Sequence, residues 1–102
     1  MNIHERMRLL ERLANTIEKE QLERLHADGF TYEGHEKGAK VTVKEGKKYY
    51  KVDVGDSGKY MVDHEGNIFG IKAYGVIHRG HCYGTLETID NYYWGDYEAR
   101  RL

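Results

Sequence analysis

A chain of 102 residues, 32% charged and 12% aromatic, has the size of one domain and too many aromatic side chains for a disordered protein. Its formal net charge of −1 excludes global attraction to nucleic acid or to an anionic membrane. No apolar run approaches the roughly 20 residues that cross a bilayer, and no secretory signal pattern opens the chain. The single cysteine, Cys82, cannot form an internal disulfide. We therefore expect a cytoplasmic protein that does not bind membranes.

Residues 1–28 predict one long amphipathic helix. Apolar side chains recur at helical spacing and form a stripe that includes Met7, Leu10, Leu13 and Ile17. Gly29 then predicts the end of the helix, because glycine adopts the left-handed conformation without a steric penalty. A helix this long needs a surface to cover its stripe. That surface is either the chain's own β part or a second copy, and we expect a homo-oligomer in which these four apolar residues make the contact.

Residues 29–39 predict a connector, and residues 40–102 predict a small antiparallel β domain that ends in a short helical and aromatic segment. Alternation within the strands places Tyr50 and Val52 toward the core and Asp53 outward. Thr85 is a predicted cap for a short helical turn. The predicted strands span residues 40–45, 48–54, 59–63 and 68–73, with a further short strand at 76–77. The fold class is therefore α+β, with a long helix followed by a small antiparallel sheet or half-barrel of four to five strands.

The segment 75–84, GVIHRGHCYG, predicts a glycine-flanked loop with a concentration of chemically active side chains. Imidazole and thiolate groups suit zinc, but the spacing does not supply the four ligands that a structural site needs. A Cys82 nucleophile beside His81 needs a base within hydrogen-bond reach and a third group that orients the base; the chain contains such residue types, but so do most chains. We therefore predict no metal and no cofactor. The functional interpretation is a recognition loop whose partner contacts are His78, Arg79 and His81.

The end of the chain is aromatic and acidic. Tyr93, Trp94 and Tyr97 lie among carboxylates, and large aromatic side chains are common anchors of protein interfaces. These three residues are therefore further predicted partner contacts. The alternative is that they form a lid over a small core.

A lysine- and tyrosine-rich hairpin gives a different hypothesis. Lysines supply phosphate contacts and tyrosines stack on bases, so the hairpin is a candidate nucleic-acid surface. Lysines are also common on edge strands, where they hinder aggregation. The candidate residues are Lys44, Lys47, Lys48, Tyr49 and Lys51.

Residues 57–89 resemble a module of small uncharacterised proteins from bacteriophages and related mobile elements. The matching residues are Gly58-Lys59-Tyr60-Met61-Val62, Gly66-Asn67-Ile68, Gly70-Ile71-Lys72, Tyr74-Gly75 and Tyr83-Gly84-Thr85-Leu86. The resemblance implies a phage accessory protein in a host cell, and such proteins often bind and block a host machine. The predicted function is thus a non-enzymatic binding protein that inhibits or modulates a host nucleic-acid-handling or defence complex. The alternatives are a small nucleic-acid-binding protein using the lysine–tyrosine hairpin and a metal- or Cys/His-dependent enzyme.

Overall fold

A computed structural model describes residues 2–29, 38–96 and 98–102. A helix, α1, is followed by a five-stranded antiparallel sheet in which the strand order is the chain order. A 3₁₀ helix and a small hairpin complete the fold, which confirms the predicted α+β class. The elements are α1 (Ile3–Ala27), β1 (Val41–Glu45), β2 (Tyr49–Val54), β3 (Ser57–Asp63), β4 (Asn67–Ala73), β5 (Val76–Thr85), the 3₁₀ helix (Leu86–Asn91), β6 (Tyr92–Tyr93) and β7 (Arg100–Arg101). Most of the predicted connector, residues 30–37, lies outside the described residues.

α1 begins at a side-chain cap and ends at a left-handed glycine. The Asn2 side chain accepts a hydrogen bond from the Glu5 N–H at 2.8 Å, which satisfies one of the unpaired donors of the first turn. Gly29 has a φ of +86°, as predicted. No helix in the described part of the chain is long and apolar enough to span a membrane.

The apolar stripe of α1 packs against the chain's own sheet. Leu10, Leu13 and Ile17 are fully buried in the core, whereas Met7 remains 43% exposed. The prediction that all four residues contact a second copy is therefore wrong for Leu10, Leu13 and Ile17. The physical reason is that the sheet offers an apolar face of matching size within the same chain, and burial there removes the stripe from water.

The core lies between α1 and one face of the sheet. Tyr50 and Val52 of β2 lie opposite Val62 and Tyr60 of β3, respectively, so their side chains share that face. Trp94 closes one end of this core. We call the other side of the sheet, which carries Tyr49, Lys51 and Asp53, the open face. The described fully buried side chains with the largest volumes are Trp94, Tyr50, Leu10, Leu13, Ile17, Ile68, Leu86, Ile89, Val52 and Val62.

The structure differs most from the sequence prediction at β5. Residues 76–84 belong to a ten-residue strand, whereas the sequence predicts only a short strand at 76–77 and a loop over the rest of the segment. β4 and β5 pair with three register shifts, and each shift interrupts the simple alternation of side chains. The alternation by which strands are found in a sequence is therefore missing here. As a result, the side chains from His78 to Cys82 lie on a sheet edge.

The turn between β4 and β5 depends on Gly75. Its φ is +76°, and an added Cβ would come no closer than 3.5 Å to its nearest non-neighbour atom, on Lys51. We expect Gly75→Val to lower the free energy of unfolding by at least about 1 kcal/mol, because backbone conformation alone penalises a branched side chain there. Urea denaturation checks the loss. Gly38→Ala is the matched control, since Gly38 has no positive φ and open space at its Cβ position. Equal stability of the two variants would contradict this role for Gly75.

The 3₁₀ helix begins at the predicted cap. The Thr85 hydroxyl accepts a hydrogen bond from the Glu87 N–H at 3.2 Å, and the Thr88 hydroxyl accepts one from the Thr85 N–H at 2.9 Å. This reciprocal arrangement is a capping box. It directs Leu86 and Ile89 into the core.

Candidate functional site

The open face of the sheet carries an arginine seated on two aromatic rings. The Arg79 guanidinium of β5 lies 5.8 Å from the ring centre of Tyr49 and 5.7 Å from that of Phe69. It also donates a hydrogen bond to the Tyr49 hydroxyl. The two ring contacts have cation–π geometry, which holds a cation in place while leaving its outer side accessible. The sequence places Arg79 in the predicted recognition loop and Tyr49 in the candidate nucleic-acid hairpin. In the fold the two side chains are in contact.

Tyr74 forms a second aromatic centre on the open face. Its ring centre lies 5.1 Å from the Lys51 ammonium nitrogen and 5.9 Å from that of Lys44. Tyr74 as a whole residue is 52% exposed. Sequence reasoning did not identify Tyr74 or Phe69 as site residues. The available signal was the position of Tyr74 beside Gly75, where a turn projects a side chain over the neighbouring strands.

The Asp53 carboxylate holds Tyr74 and Lys44 in place. Its carboxylate accepts a hydrogen bond from the Tyr74 hydroxyl at 3.1 Å and lies 3.3 Å from the Lys44 ammonium nitrogen. Asp53 does lie on the outward face, as predicted, but it is only 5% exposed because Tyr74 and Lys44 cover it. The hydrogen bonds to Tyr74 and to Asp53 raise the pKa of Lys44. Lys44 therefore remains a cation at neutral pH.

The carboxylates of the open face are already engaged by the fold. Asp53 is paired with Lys44, and Asp63 accepts hydrogen bonds from the backbone N–H groups of Glu65 and Asn67 at 3.0 and 2.8 Å. Among the described residues, the ionic side chains between them are cations, namely Lys51, Arg79 and Lys44, of which Lys44 shares its charge with Asp53. Lys47 and Lys48 are exposed in the turn that leads into Tyr49.

The histidines of β5 lie side by side. The rings of His78 and His81 are tilted by 37° to each other, with their centres 4.1 Å apart, and the buried Nδ1 atom of His78 has no hydrogen-bond partner among the described residues. The Cys82 thiol is exposed and lies 3.7 Å from the Gly84 carbonyl oxygen. Within residues 2–29, 38–96 and 98–102, no three potential metal ligands come together.

The acidic aromatic end is structural in large part. Trp94 is 0% exposed, and its indole N–H donates to the Ile89 carbonyl at 2.9 Å. The prediction that Trp94 contacts a partner is therefore wrong, because the indole fills the end of the core. Tyr93 is half-buried beneath Arg100, whose guanidinium lies 5.4 Å from the ring centre. The predicted contact at Tyr97 lies outside the described residues.

Arginines of α1 neutralise the carboxylates at this end. Arg12 lies 2.6 Å from Asp90, and Arg24 lies 3.0 Å from Asp96. Both pairs join α1 to residues more than seventy positions later. In the sequence the only nearby basic residues are Arg100 and Arg101, of which Arg100 lies 3.5 Å from Asp96, and the fold adds Arg12 and Arg24 of the helix. The acidic end is therefore the contact region between the helix and the C-terminal segment.

No protein-family model, curated protein or solved structure matches this chain. The site must therefore be interpreted from its own geometry.

Proposed function

We propose that this is a small non-enzymatic binding protein that holds single-stranded nucleic acid on the open face of its sheet. The observation that carries the proposal is the set of cations seated on aromatic rings, with Arg79 on Tyr49 and with Lys44 and Lys51 around Tyr74. Lysine and arginine bind phosphate oxygens, and an exposed aromatic ring supplies a surface on which bases stack. Both kinds of group occur together on this face.

Local charge supports this function despite the net charge of −1. The acidic groups Asp90 and Asp96 are paired with arginines of α1, away from the open face. Arg79 presents a planar guanidinium, whose geometry suits two-point contact with a phosphate. A phosphate chain crossing the open face would therefore meet fixed cations.

The same geometry favours unpaired bases over a duplex. A base can stack on the exposed ring of Tyr74 only when it is free of its own base-pair stack. Among the described residues, α1 and the 3₁₀ helix both pack on the core side of the sheet, so neither projects from the open face to enter a major groove. We therefore expect binding with little dependence on base sequence.

Salt-dependent binding of labelled oligonucleotides tests the proposal. Fluorescence anisotropy would compare oligo-dT and oligo-U with a duplex of equal length. If Lys44, Lys51 and Arg79 each contact one phosphate, the logarithm of the association constant should fall with the logarithm of salt concentration at a slope of about −2. Absence of binding at low salt, or equal affinity for the duplex, would contradict the proposal.

A host protein is the second candidate partner. Tyr74 and Val76 are large exposed side chains at the β4–β5 turn, and such groups anchor protein interfaces. Together with the resemblance of residues 57–89 to phage accessory proteins, they support an inhibitor or modulator of a host nucleic-acid-handling or defence complex in the host cytoplasm. Capture of a host protein that survives nuclease treatment favours this candidate. Capture lost with nuclease favours nucleic acid.

We propose separately that the protein self-associates through the exposed start of α1. Ile3 and Met7 lie one turn apart, and both are exposed. Met7 also borders a groove between α1 and the edge strand β1, where Val41 and Val43 form part of the lining. Sedimentation of the purified protein tests whether copies pair.

A further inference from the structure

The edge strand β1 carries a row of backbone groups that face away from the sheet. Among the described strands, β1 pairs only with β2. The Gly46 N–H donates to the Tyr49 carbonyl at 2.9 Å, and hydrogen-bonded pairs alternate along an antiparallel ladder, so the even-numbered residues of β1 bond to β2. The N–H and C=O groups of Val41, Val43 and Glu45 therefore point outward.

This edge remains open to a further strand along most of its length. The Val41 N–H donates to the Glu18 carboxylate at 2.9 Å, whereas the N–H groups of Val43 and Glu45 have no partner among the described residues. Lys44, the lysine of β1, is held on the open face by its ion pair and does not guard the edge. The opposite edge, β5, has three register shifts, and such bulges hinder further pairing.

A groove of about 680 Å³ runs beside β1 on the α1 side of the sheet. Its apolar lining comes from Leu10 and Ala14 of α1 and from Val41 and Val43 of β1. Alternate side chains of a strand added to β1 would point into this groove. Its volume lies in the range of pockets that enclose a ligand. The edge therefore supplies backbone partners and space for side chains at the same place.

The charged groups around the groove are mainly acidic. Glu11 and Glu45 line it together with Arg8, and Glu18 lies at the end occupied by the Val41 N–H. Arg8, Glu11 and Glu45 are exposed and form no ion pair among the described residues. Three carboxylates and one guanidinium attract a segment that carries basic side chains. The groove thus has the opposite charge preference to the open face.

We propose that β1 binds an extended segment of a partner protein, which adds to the sheet as a sixth antiparallel strand. Its groove-facing side chains are basic, apolar and basic in turn, with the apolar one beside Val43 and the basic ones near Glu45 and Glu18. A second copy of β1 fits less well, because pairing about Val43 puts Glu45 of each copy near Glu18 of the other, where like charges repel. The groove lies on the α1 side of the sheet, so this proposal does not depend on nucleic-acid binding at the open face.

The capped peptide Lys-Thr-Leu-Thr-Lys tests the proposal on the intact protein. Backbone amide chemical shifts would be followed as the peptide is added. We expect saturable shifts at Val43 and Glu45, slower hydrogen exchange of these two amides, and a Kd of about 0.1–1 mM. The peptide Glu-Thr-Leu-Thr-Glu has the same length and the same central leucine, and it should bind at least about tenfold more weakly. Methylation of the leucine nitrogen, which removes the central N–H, should also weaken binding.

Val43→Pro removes an outward N–H without removing a bond to β2, and proline is tolerated at such edge positions. Peptide affinity, followed at the Glu45 amide, should fall at least about tenfold. Val43→Ile keeps the N–H and the apolar contact, so this matched control should bind as the wild type does. Glu45→Lys changes an exposed residue and should weaken binding several-fold, which decides the question even if Val43→Pro unfolds.

Four results would each overturn the proposal. They are the absence of saturable shifts at Val43 and Glu45, equal affinity for the two peptides, wild-type affinity in a folded Val43→Pro variant, and wild-type affinity in Glu45→Lys. Sedimentation of the protein without peptide provides a further test. A dimer that separates in Val43→Pro would assign the edge to a second copy of the chain and overturn the proposal as well, whereas a monomer with a free edge supports it.

Discussion

Replacing Arg79 with glutamate is expected to weaken the binding of single-stranded oligonucleotides roughly a hundredfold, or by about 3 kcal/mol. The wild-type guanidinium is held against Tyr49 and Phe69, where it is placed to contact a phosphate. Glutamate removes that contact and adds repulsion toward the phosphate chain. The slope of binding against salt should also become shallower by about 0.7 for the lost contact. Fluorescence anisotropy over a series of salt concentrations measures both changes.

The matched control is Lys19→Glu, which makes the same change of charge on α1. The Lys19 side chain is 76% exposed and lies on the helix, in the layer opposite the open face. It should therefore leave oligonucleotide affinity nearly unchanged. Arg79→Lys keeps the charge but loses the planar group, so an intermediate affinity is expected. If Arg79→Glu and Lys19→Glu weaken binding equally, the effect is one of total charge, and the open face is not the site.

The helix and the first hairpins were predictable because local patterns determine them. The stripe containing Leu10 and Ile17 has helical spacing, and Tyr50 and Val52 alternate as a half-buried strand requires. The choice between the chain's own sheet and a second copy was not predictable from periodicity. That choice depends on whether the sheet supplies a matching apolar face. The face forms only when β2, β3 and β4, which are far from α1 in the sequence, align side by side.

The contacts on the open face join residues that are far apart in the sequence. Arg79 and Tyr49 are thirty residues apart and belong to β5 and β2, so their contact requires the strand order and the side-chain directions in β5. The register shifts between β4 and β5 remove the alternation that would have shown those directions. The position of Asp53 on the outward face followed from alternation, but its burial followed from Tyr74, which the β4–β5 turn places over it.

The C-terminal segment shows how composition alone misleads about a surface. Acidic and aromatic residues in one stretch resemble an interface, yet here the helix supplies the complementary groups. The Glu20 carboxylate accepts a hydrogen bond from the Trp94 backbone N–H at 2.9 Å, and the Gln21 side chain donates to the Trp94 carbonyl at 2.8 Å. These bonds hold Trp94 at the end of the core, where an indole has both apolar surroundings and a partner for its N–H.

Trp94→Ala is therefore expected to lower the free energy of unfolding by about 3–5 kcal/mol. The loss combines the cavity left by a fully buried indole with the loss of one of the two hydrogen bonds to the Ile89 carbonyl, which keeps the Tyr92 N–H as a donor. Because small domains are stable by only about 5–15 kcal/mol, this change removes a large part of the total. Urea denaturation followed by far-ultraviolet circular dichroism measures it, since the variant has no tryptophan fluorescence.

Trp94→Phe separates packing from hydrogen bonding in this prediction. Phenylalanine keeps an aromatic ring beside Tyr60, whose ring centre lies 5.4 Å from the indole, but it cannot donate to Ile89. We expect a smaller loss than in Trp94→Ala, because part of the apolar volume is retained. Oligonucleotide affinity, measured where both proteins are folded, should match that of the wild type, because Trp94 lies on the core side of the sheet. A Trp94→Ala protein with wild-type stability and no partner binding would instead place Trp94 at the interface and contradict its role in the core.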